Sequence, residues 1–196
     1  MSRNVGTVSR GIRCPIIKEG DNLSKIVVDS VLEASKTDNF EIKDKDVIAV
    51  TESVVARSQG NYCKVSDIAD DVKAKFGENQ TIGVIFPILS RNRFSIMLKG
   101  IAKGAKKIVL MLSYPSDEVG NALLTYDDLD AKGVNPYSDV LTLKQYRKLF
   151  GYKVHEFTGV DYIEFYKKLV EDEGAECEII FANQAKAILK YTKSIL

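Results

Sequence analysis

Two patterns of apolar residues alternate along the chain. Short runs of consecutive apolar residues are typical of buried strands, and segments with an apolar residue every three or four positions are typical of amphipathic helices. The runs predict strands over residues 5–17, 46–50, 81–86, 108–112 and 178–182. The helical spacing predicts helices over residues 23–34, 66–76, 90–101, 142–150, 160–173 and 183–196, with residues 127–139 as a polar connection. Gly20-Asp21-Asn22 supplies a turn and a cap before the first helix, and Thr142 with Gln145 makes a capping box for the fourth.

Strands without polar alternation, separated by amphipathic helices, favour a sheet that is covered on both faces. We therefore expect an α/β fold with a mostly parallel or mixed sheet flanked by helices and an additional N-terminal β/α segment. Pro87 and the segment 113–115 are expected to end two of the strands. The polar connection suggests a boundary between a core over residues 1–125 and a C-terminal α/β lobe over residues 126–196; the alternative is one continuous domain.

The charge balance and the cysteines argue against several classes of function. Lysine and arginine total 28 against 27 acidic residues, so the net charge of +1 gives no general attraction to nucleic acid or to an anionic membrane. Cys14, Cys63 and Cys177 are far apart and lack the paired spacing of a zinc or iron–sulfur site. No apolar run has the length of a signal peptide or a membrane span, so we expect a cytoplasmic protein.

Two common catalytic designs have no counterpart in the sequence. His155, the only histidine, belongs to no recognisable motif with a serine or cysteine nucleophile, which disfavours a histidine-dependent hydrolase. We expect this histidine to be partly exposed. Neither a P-loop nor a GxGxxG run occurs, so a Walker-type or Rossmann nucleotide site is not expected.

Polar side chains follow several of the predicted strands. Ligands of open parallel sheets bind beyond the carboxyl ends of the strands, so these side chains are the first candidates for a site. The candidates are Glu52 and Ser53, Ser90, Arg91 and Arg93, Ser113 and Tyr114, Asp117 and Glu118, and Asn183.

Each candidate has a functional and a structural interpretation. Arg91 and Arg93, where a helix is predicted to begin, suit a phosphate or carboxylate, or they simply face solvent. Asp117 and Glu118 could bind a divalent cation or begin a helix. Glu52 is either a ligand contact or part of a turn.

Two longer motifs resemble a known family. They are Gly-Ile-Arg-Cys-Pro-Ile-Ile-Lys-Glu-Gly-Asp-Asn-Leu over residues 11–23 and Asp-Lys-Asp-Val-Ile-Ala-Val-Thr-Glu-Ser-Val-Val-Ala-Arg-Ser-Gln-Gly over residues 44–60. In this order, with a helix between them, they resemble the start of the coenzyme F420-0:γ-glutamyl ligases. The resemblance implies a homodimeric enzyme that joins L-glutamate to an acidic coenzyme precursor, driven by GTP with magnesium or manganese.

The resemblance also implies roles for individual residues. The nucleotide contacts of the family fall on Pro15, Ile16 and Ile17, on Glu52 and Ser53, and on Arg57, which stands in place of a lysine. The two metal-binding aspartates of the family have no counterpart. The region that holds the first is missing between residues 61 and 80, and Ile88 stands at the position of the second.

These observations support two main hypotheses. In the first, the protein uses a nucleoside triphosphate to activate a carboxylate for capture by an amine, with Arg57, Arg91 and Arg93 neutralising phosphoryl charge. Glu52, Asp117 or Glu118 would then hold the metal. The alternative is a domain that binds a phosphorylated or carboxylated small molecule or assists assembly, having lost the metal site. A third idea is a hydrolase or phosphotransferase that uses Asp117 and Glu118.

Overall fold

A computed structural model describes residues 6–90, 92–117, 120 and 122–196, without the side chains of residues 88 and 115–117. The contacts divide the chain into two compact units, Met1–Cys63 and Lys64–Leu196, called unit 1 and unit 2 below. The boundary predicted between residues 125 and 126 stays a prediction. No helix in the described part of the chain is long and apolar enough to cross a membrane.

Unit 1 contains two helices, α1 (Leu23–Thr37) and α2 (Glu52–Ser58). The side chain of Asn22 begins α1 by accepting a hydrogen bond from the Lys25 N–H at 3.0 Å, as the sequence predicted. The strands predicted over residues 5–17 and 46–50 are wrong for the described residues 6–17 and 46–50, which have no regular secondary structure. Val47 is 88% exposed, because the described residues of unit 1 provide no neighbouring strand with which this apolar run could pair.

Unit 2 is built on a four-stranded sheet in the order β1-β2-β4-β3. The strands are β1 (Thr81–Leu89), β2 (Lys107–Asp117), β3 (Leu141–Thr142) and β4 (Glu176–Phe181). The first three neighbours in space, β1, β2 and β4, are parallel, and β3 is antiparallel to β4. The sheet is flanked by helices, which confirms the predicted α/β class.

Two of these strands are longer than predicted. Pro87 does not end β1, because it lies where the register between β1 and β2 shifts, and a proline without an N–H is tolerated at such an irregularity. After the shift, Leu89 pairs with Asp117, so β2 likewise continues beyond the predicted stop at residues 113–115.

Within the described part of unit 2, five α-helices flank the sheet. They are α3 (Val65–Phe76), α4 (Arg93–Gly104), α5 (Tyr126–Ala131), α6 (Leu143–Phe150) and α7 (Tyr162–Asp172). The capping box predicted at Thr142 and Gln145 is confirmed, with reciprocal hydrogen bonds of 2.9 and 3.3 Å. The polar connection predicted over residues 127–139 is partly wrong, because Thr125 and Asp128 form a second capping box that begins α5.

The long helix predicted at the C-terminal end is also wrong. A 3-10 helix spans Ala185–Lys190, and residues 194–196 then run parallel to β1. The N–H of Gly83 donates to the Ser194 carbonyl at 2.8 Å, and the N–H of Leu196 donates to the Gly83 carbonyl at 2.8 Å. A Cβ on Gly83 would lie 2.8 Å from the Ile188 Cδ1 atom, so the missing side chain lets this segment approach the sheet.

The side chains of the sheet fill two separate apolar layers. Val84, Leu110 and Ile179 belong to the larger layer, which is completed by side chains of α3, α4 and α7. Val109 and Ile180 belong to the opposite layer, which is completed by the 3-10 helix. Both faces are therefore covered, as a parallel sheet requires.

Two glycines let α3 pack closely against α4. A Cβ on Gly100 would lie 2.7 Å from the Ile68 Cβ atom, and a Cβ on Gly104 would lie 2.7 Å from the Ala69 carbonyl oxygen. These positions are four residues apart and therefore lie on one face of α4. Because the backbone of α3 cannot move away without separating the helices, this face tolerates no side chain at residue 104.

We therefore predict that Gly104→Ala destabilises the protein. Overpacking costs about 1–3 kcal/mol, and the better helix propensity of alanine returns about 1 kcal/mol. Because the clash is with a backbone oxygen and not with a flexible side chain, the cost should lie in the upper part of this range, at about 2–3 kcal/mol. The net loss in the free energy of unfolding should then be about 1–2 kcal/mol, measured by urea denaturation. The exposed neighbour Lys103→Ala is the control and should change stability by less than about 0.5 kcal/mol. An unchanged or increased stability of Gly104→Ala would contradict the packing argument.

Candidate functional site

A backbone hydrogen bond joins the two segments that carry the longer motifs. The N–H of Gly20 donates to the carbonyl of Ser58, the last residue of α2, at 2.9 Å. Gly20 has a φ of +84°, which places the turn in the left-handed region that favours glycine. The turn after Ile17 is therefore held at the C-terminal end of α2, close to Arg57 in the chain.

A second contact between the same segments requires Gly60. This glycine has a φ of +67°, and a Cβ here would lie 2.6 Å from Oε1 of Glu19. The Glu19 carboxylate therefore lies directly beside the backbone of Gly60. The sequence did not identify Glu19, because its position depends on contact with Gly60, which is remote in the chain.

The three predicted contacts on α2 are close together along the helix. Glu52 is its first residue, and Ser53 and Arg57 are four positions apart, so their side chains lie on one face. All three are exposed. Among the described residues Arg57 makes no ion pair, so its guanidinium is available to an anionic ligand.

The Pro15–Ile17 segment borders a cavity of about 620 Å³ within unit 1. Pro15 and Ile17 line this cavity together with Thr51 and Val54, the residues on either side of Glu52 and Ser53. Ile16 does not line it and is 82% exposed. The structure thus brings the predicted segments to neighbouring surfaces, but Glu52, Ser53 and Arg57 lie outside the lining of the cavity.

The predicted metal ligands are only partly described. Glu52 is exposed at the start of α2, the Asp117 backbone belongs to β2, and the Asp117 side chain and all of Glu118 lie outside the described residues. Within the described residues no group of three histidine, cysteine or carboxylate side chains is arranged to hold a metal. The metal role of these three residues stays a prediction.

Polar groups in unit 2 converge near the carboxyl ends of the strands, within the last residues of β1 and β2 and just after β4. The Tyr114 N–H donates to Oδ1 of Asn183, which follows β4, at 3.1 Å. The Tyr114 hydroxyl donates to the Asp139 carbonyl at 3.3 Å, and the Ser113 hydroxyl donates to the Pro87 carbonyl. These contacts tie β2 to β1 and to the segments that contain Asp139 and Asn183, so their first role is structural.

The predicted anion-binding segment after β1 is also partly described. Ser90 is buried, and its backbone N–H donates a hydrogen bond to the Tyr166 hydroxyl at 2.7 Å. Arg93 is the first residue of α4 and is exposed, whereas Arg91 lies outside the described residues. Arg93 and Arg57 belong to different units.

His155 is buried, which corrects the expectation of a partly exposed residue. Its Nδ1 atom accepts a hydrogen bond from the Thr158 N–H at 3.3 Å, and its ring meets the Tyr162 ring edge-on at 5.6 Å. The backbone N–H of His155 also donates to the Val160 carbonyl at 2.9 Å. This histidine organises the loop before α7, a role that composition and spacing could not indicate.

Comparison with known proteins gives one match. A family model described as F420-0:Gamma-glutamyl ligase matches residues 11–193, which includes both motifs and nearly all of the two units. No curated protein and no solved structure matches the chain.

The Tyr114 hydroxyl provides a pH-dependent test of this edge of the sheet. Burial, with the Asp139 carboxylate in addition, raises the pKa of Tyr114 to about 12, against about 10 in an unfolded chain. The stabilising contribution of the neutral phenol is therefore complete below about pH 10 and is lost as the pH rises through about 12.

Tyr114→Phe should remove this contribution. We expect the free energy of unfolding of the wild type to fall more than that of the variant between about pH 9 and about pH 11, measured by urea denaturation at both values. At neutral pH the variant should lose only the weak bond to the Asp139 carbonyl. Equal losses for both proteins over the alkaline range would show that Tyr114 is not held in a buried environment.

Proposed function

The chain belongs to the F420-0:gamma-glutamyl ligase family, and from this we propose that it is an amide-bond-forming ligase that uses a nucleoside triphosphate to activate a carboxylate. The nucleotide would bind to unit 1. The observation that carries this proposal is the hydrogen bond from Gly20 to Ser58, because it joins the Pro15–Ile17 segment to the helix that bears Arg57.

Ile16 is suited to contact the nucleobase. A large apolar side chain that is 82% exposed loses unfavourable contact with water when a flat ring covers it. Pro15 fixes the backbone just before it. Guanine is the base that the resemblance implies, so we propose GTP as the nucleotide.

Arg57 and Ser53 are suited to contact the phosphates. The guanidinium of Arg57 is exposed and has no ionic partner among the described residues, and it can hold two phosphate oxygens at once. The Ser53 hydroxyl lies on the same face of α2 and can donate a further hydrogen bond. The Glu19 carboxylate beside Gly60 adds a negative charge near the C-terminal end of this helix. This charge would repel a phosphate bound beyond Arg57 and so favours binding at Arg57 itself.

Glu52 fits a role in holding a magnesium or manganese ion that accompanies the nucleotide. Magnesium in nucleotide sites is usually held by one or two carboxylates together with phosphate oxygens and water, so one exposed carboxylate on the same helix is compatible with this role. Such a cation supplies neutralisation of the charge on the phosphates.

The proposed chemistry has two steps that conserve atoms and charge. A carboxylate oxygen of an acidic acceptor takes the terminal phosphoryl group, which leaves a nucleoside diphosphate and an acyl phosphate. The amine of L-glutamate then attacks the acyl carbon, loses a proton, and releases inorganic phosphate. Arg57 would offset the phosphoryl charge in the first step, and a homodimer is the proposed assembly.

A second candidate is a binding domain without turnover. It is favoured by Ile88 in β1, since isoleucine stands where the resemblance places a metal-binding aspartate and cannot ligate a hard cation. This candidate predicts nucleotide binding without release of phosphate in the presence of glutamate. A phosphate-release assay alongside the binding measurement therefore separates the two candidates.

Arg57→Gln tests the proposed nucleotide site. In calorimetric titrations with GTP and magnesium, this change should weaken binding about tenfold, because a charge-assisted bond to phosphate contributes about 1.5 kcal/mol or more. Arg57→Lys keeps the charge and should retain most of the affinity. Lys36→Gln, at an exposed position on α1, is the control for loss of a positive charge and should bind as the wild type does.

Two results would count against the nucleotide site. Absence of binding heat with either GTP or ATP at millimolar concentration would remove the nucleotide-dependent ligase from consideration. Equal affinities of the wild type and Arg57→Gln would place the phosphates elsewhere.

A further inference from the structure

Unit 2 contains a cavity that the proposed nucleotide site does not use. It has a volume of about 730 Å³ and lies between α3, α4, β1 and the segment that ends at Leu196. Its size is within the range of about 300–1,000 Å³ that is usual for small-molecule sites. Its apolar lining is formed by Ile68, Val72, Val84, Phe86, Phe94 and Ile101.

The wall of this cavity is fixed by packing on its far side. The rings of Phe86 and Phe94 are stacked with their centroids 3.5 Å apart, and Phe94 also meets the Tyr166 ring edge-on at 5.2 Å. Gly100 and Gly104 hold α3 against α4 at the other end of the helix. These contacts keep the side chains from collapsing into the space, so the cavity is already formed before a ligand enters.

Among the described side chains that line the cavity, one positively charged group makes no ion pair. Asp71 and Lys75 line the cavity but form an ion pair with each other at 2.7 Å. Arg93 also lines it, is exposed, and makes no ion pair with any residue in the described ranges. An apolar space with a single unpaired guanidinium is complementary to an apolar molecule that carries one negative charge.

We propose that this cavity binds an elongated apolar molecule with one terminal carboxylate, whose apolar body lies against Phe86, Phe94 and Ile101 and whose carboxylate meets Arg93. Met97 is half-exposed and lines the same space, so it would cover the part of the ligand nearest to solvent. Binding here requires no nucleotide and does not depend on the proposed ligase function.

The two methionines of unit 2 allow a binding test by NMR in which one methionine reports on the cavity and the other serves as the control. Met97 lines the cavity, whereas Met111 is buried in the apolar layer on the opposite face of the sheet. The protein is labelled with methyl-13C-methionine and titrated with decanoate, below the micelle concentration of decanoate and without nucleotide. We expect the Met97 methyl resonance to shift until the site is saturated, and the Met111 methyl resonance to stay in place. Arg93→Gln should weaken decanoate binding about fivefold, the upper range for an exposed ion pair.

Three comparisons complete the experiment. Arg93→Lys should retain most of the affinity, and Lys103→Gln, at the exposed far end of α4, should bind decanoate as the wild type does. Decanol, which lacks the charge, should bind the wild type and Arg93→Gln with equal affinity, because it has no carboxylate for Arg93 to meet. The proposal is overturned if the Met97 resonance does not move, if Met111 moves equally, or if Arg93→Gln binds decanoate as tightly as the wild type.

Discussion

The central constraint on unit 2 is that β2 has a parallel neighbour on each side and must be covered on both faces. Val109 and Leu110 point to opposite layers, and each layer is closed by a different element, the 3-10 helix on one side and α3, α4 and α7 on the other. The approach of these elements depends on missing side chains at Gly83, Gly100 and Gly104. The close approach of the 3-10 helix to β1, and of α3 to α4, therefore organises the unit as much as the apolar strands do.

Unit 1 depends on a different kind of interaction. Its described residues contain no strand ladder, so turns and single backbone hydrogen bonds position its functional segments. The bond from Gly20 to Ser58 and the contact of Glu19 with Gly60 hold a loop against a short helix. Binding residues are commonly carried on such loops, and here the loop leaves the Ile16 side chain exposed.

The sequence predicted the elements whose signal is local. The apolar runs at 81–86, 108–112 and 178–182 and the capping box at Thr142 needed no distant partner to be recognised. The run at 46–50 has the same composition, but a strand also needs a neighbour, which composition does not reveal. Burial of His155 and the pairing of residues 194–196 with β1 likewise depend on contacts that are remote in sequence. The candidate site shows the same limit, since the motifs indicated Ile16, Ser53 and Arg57, whereas the contacts of Glu19 and Tyr114 required the fold.

The position of β4 between β2 and β3 has a consequence for how the chain acquires its structure. Only α4 separates β1 from β2 in the chain, whereas α5, β3, α6 and α7 separate β2 from β4. The Thr192 hydroxyl donates to the Thr81 carbonyl, which is 111 positions away in the chain. Pairings of short sequence separation close smaller loops and form sooner. During folding, β2 therefore keeps one edge, with its unpaired backbone N–H and C=O groups, open until β4 arrives, and an open edge of this kind is where chains begin to misassemble with one another.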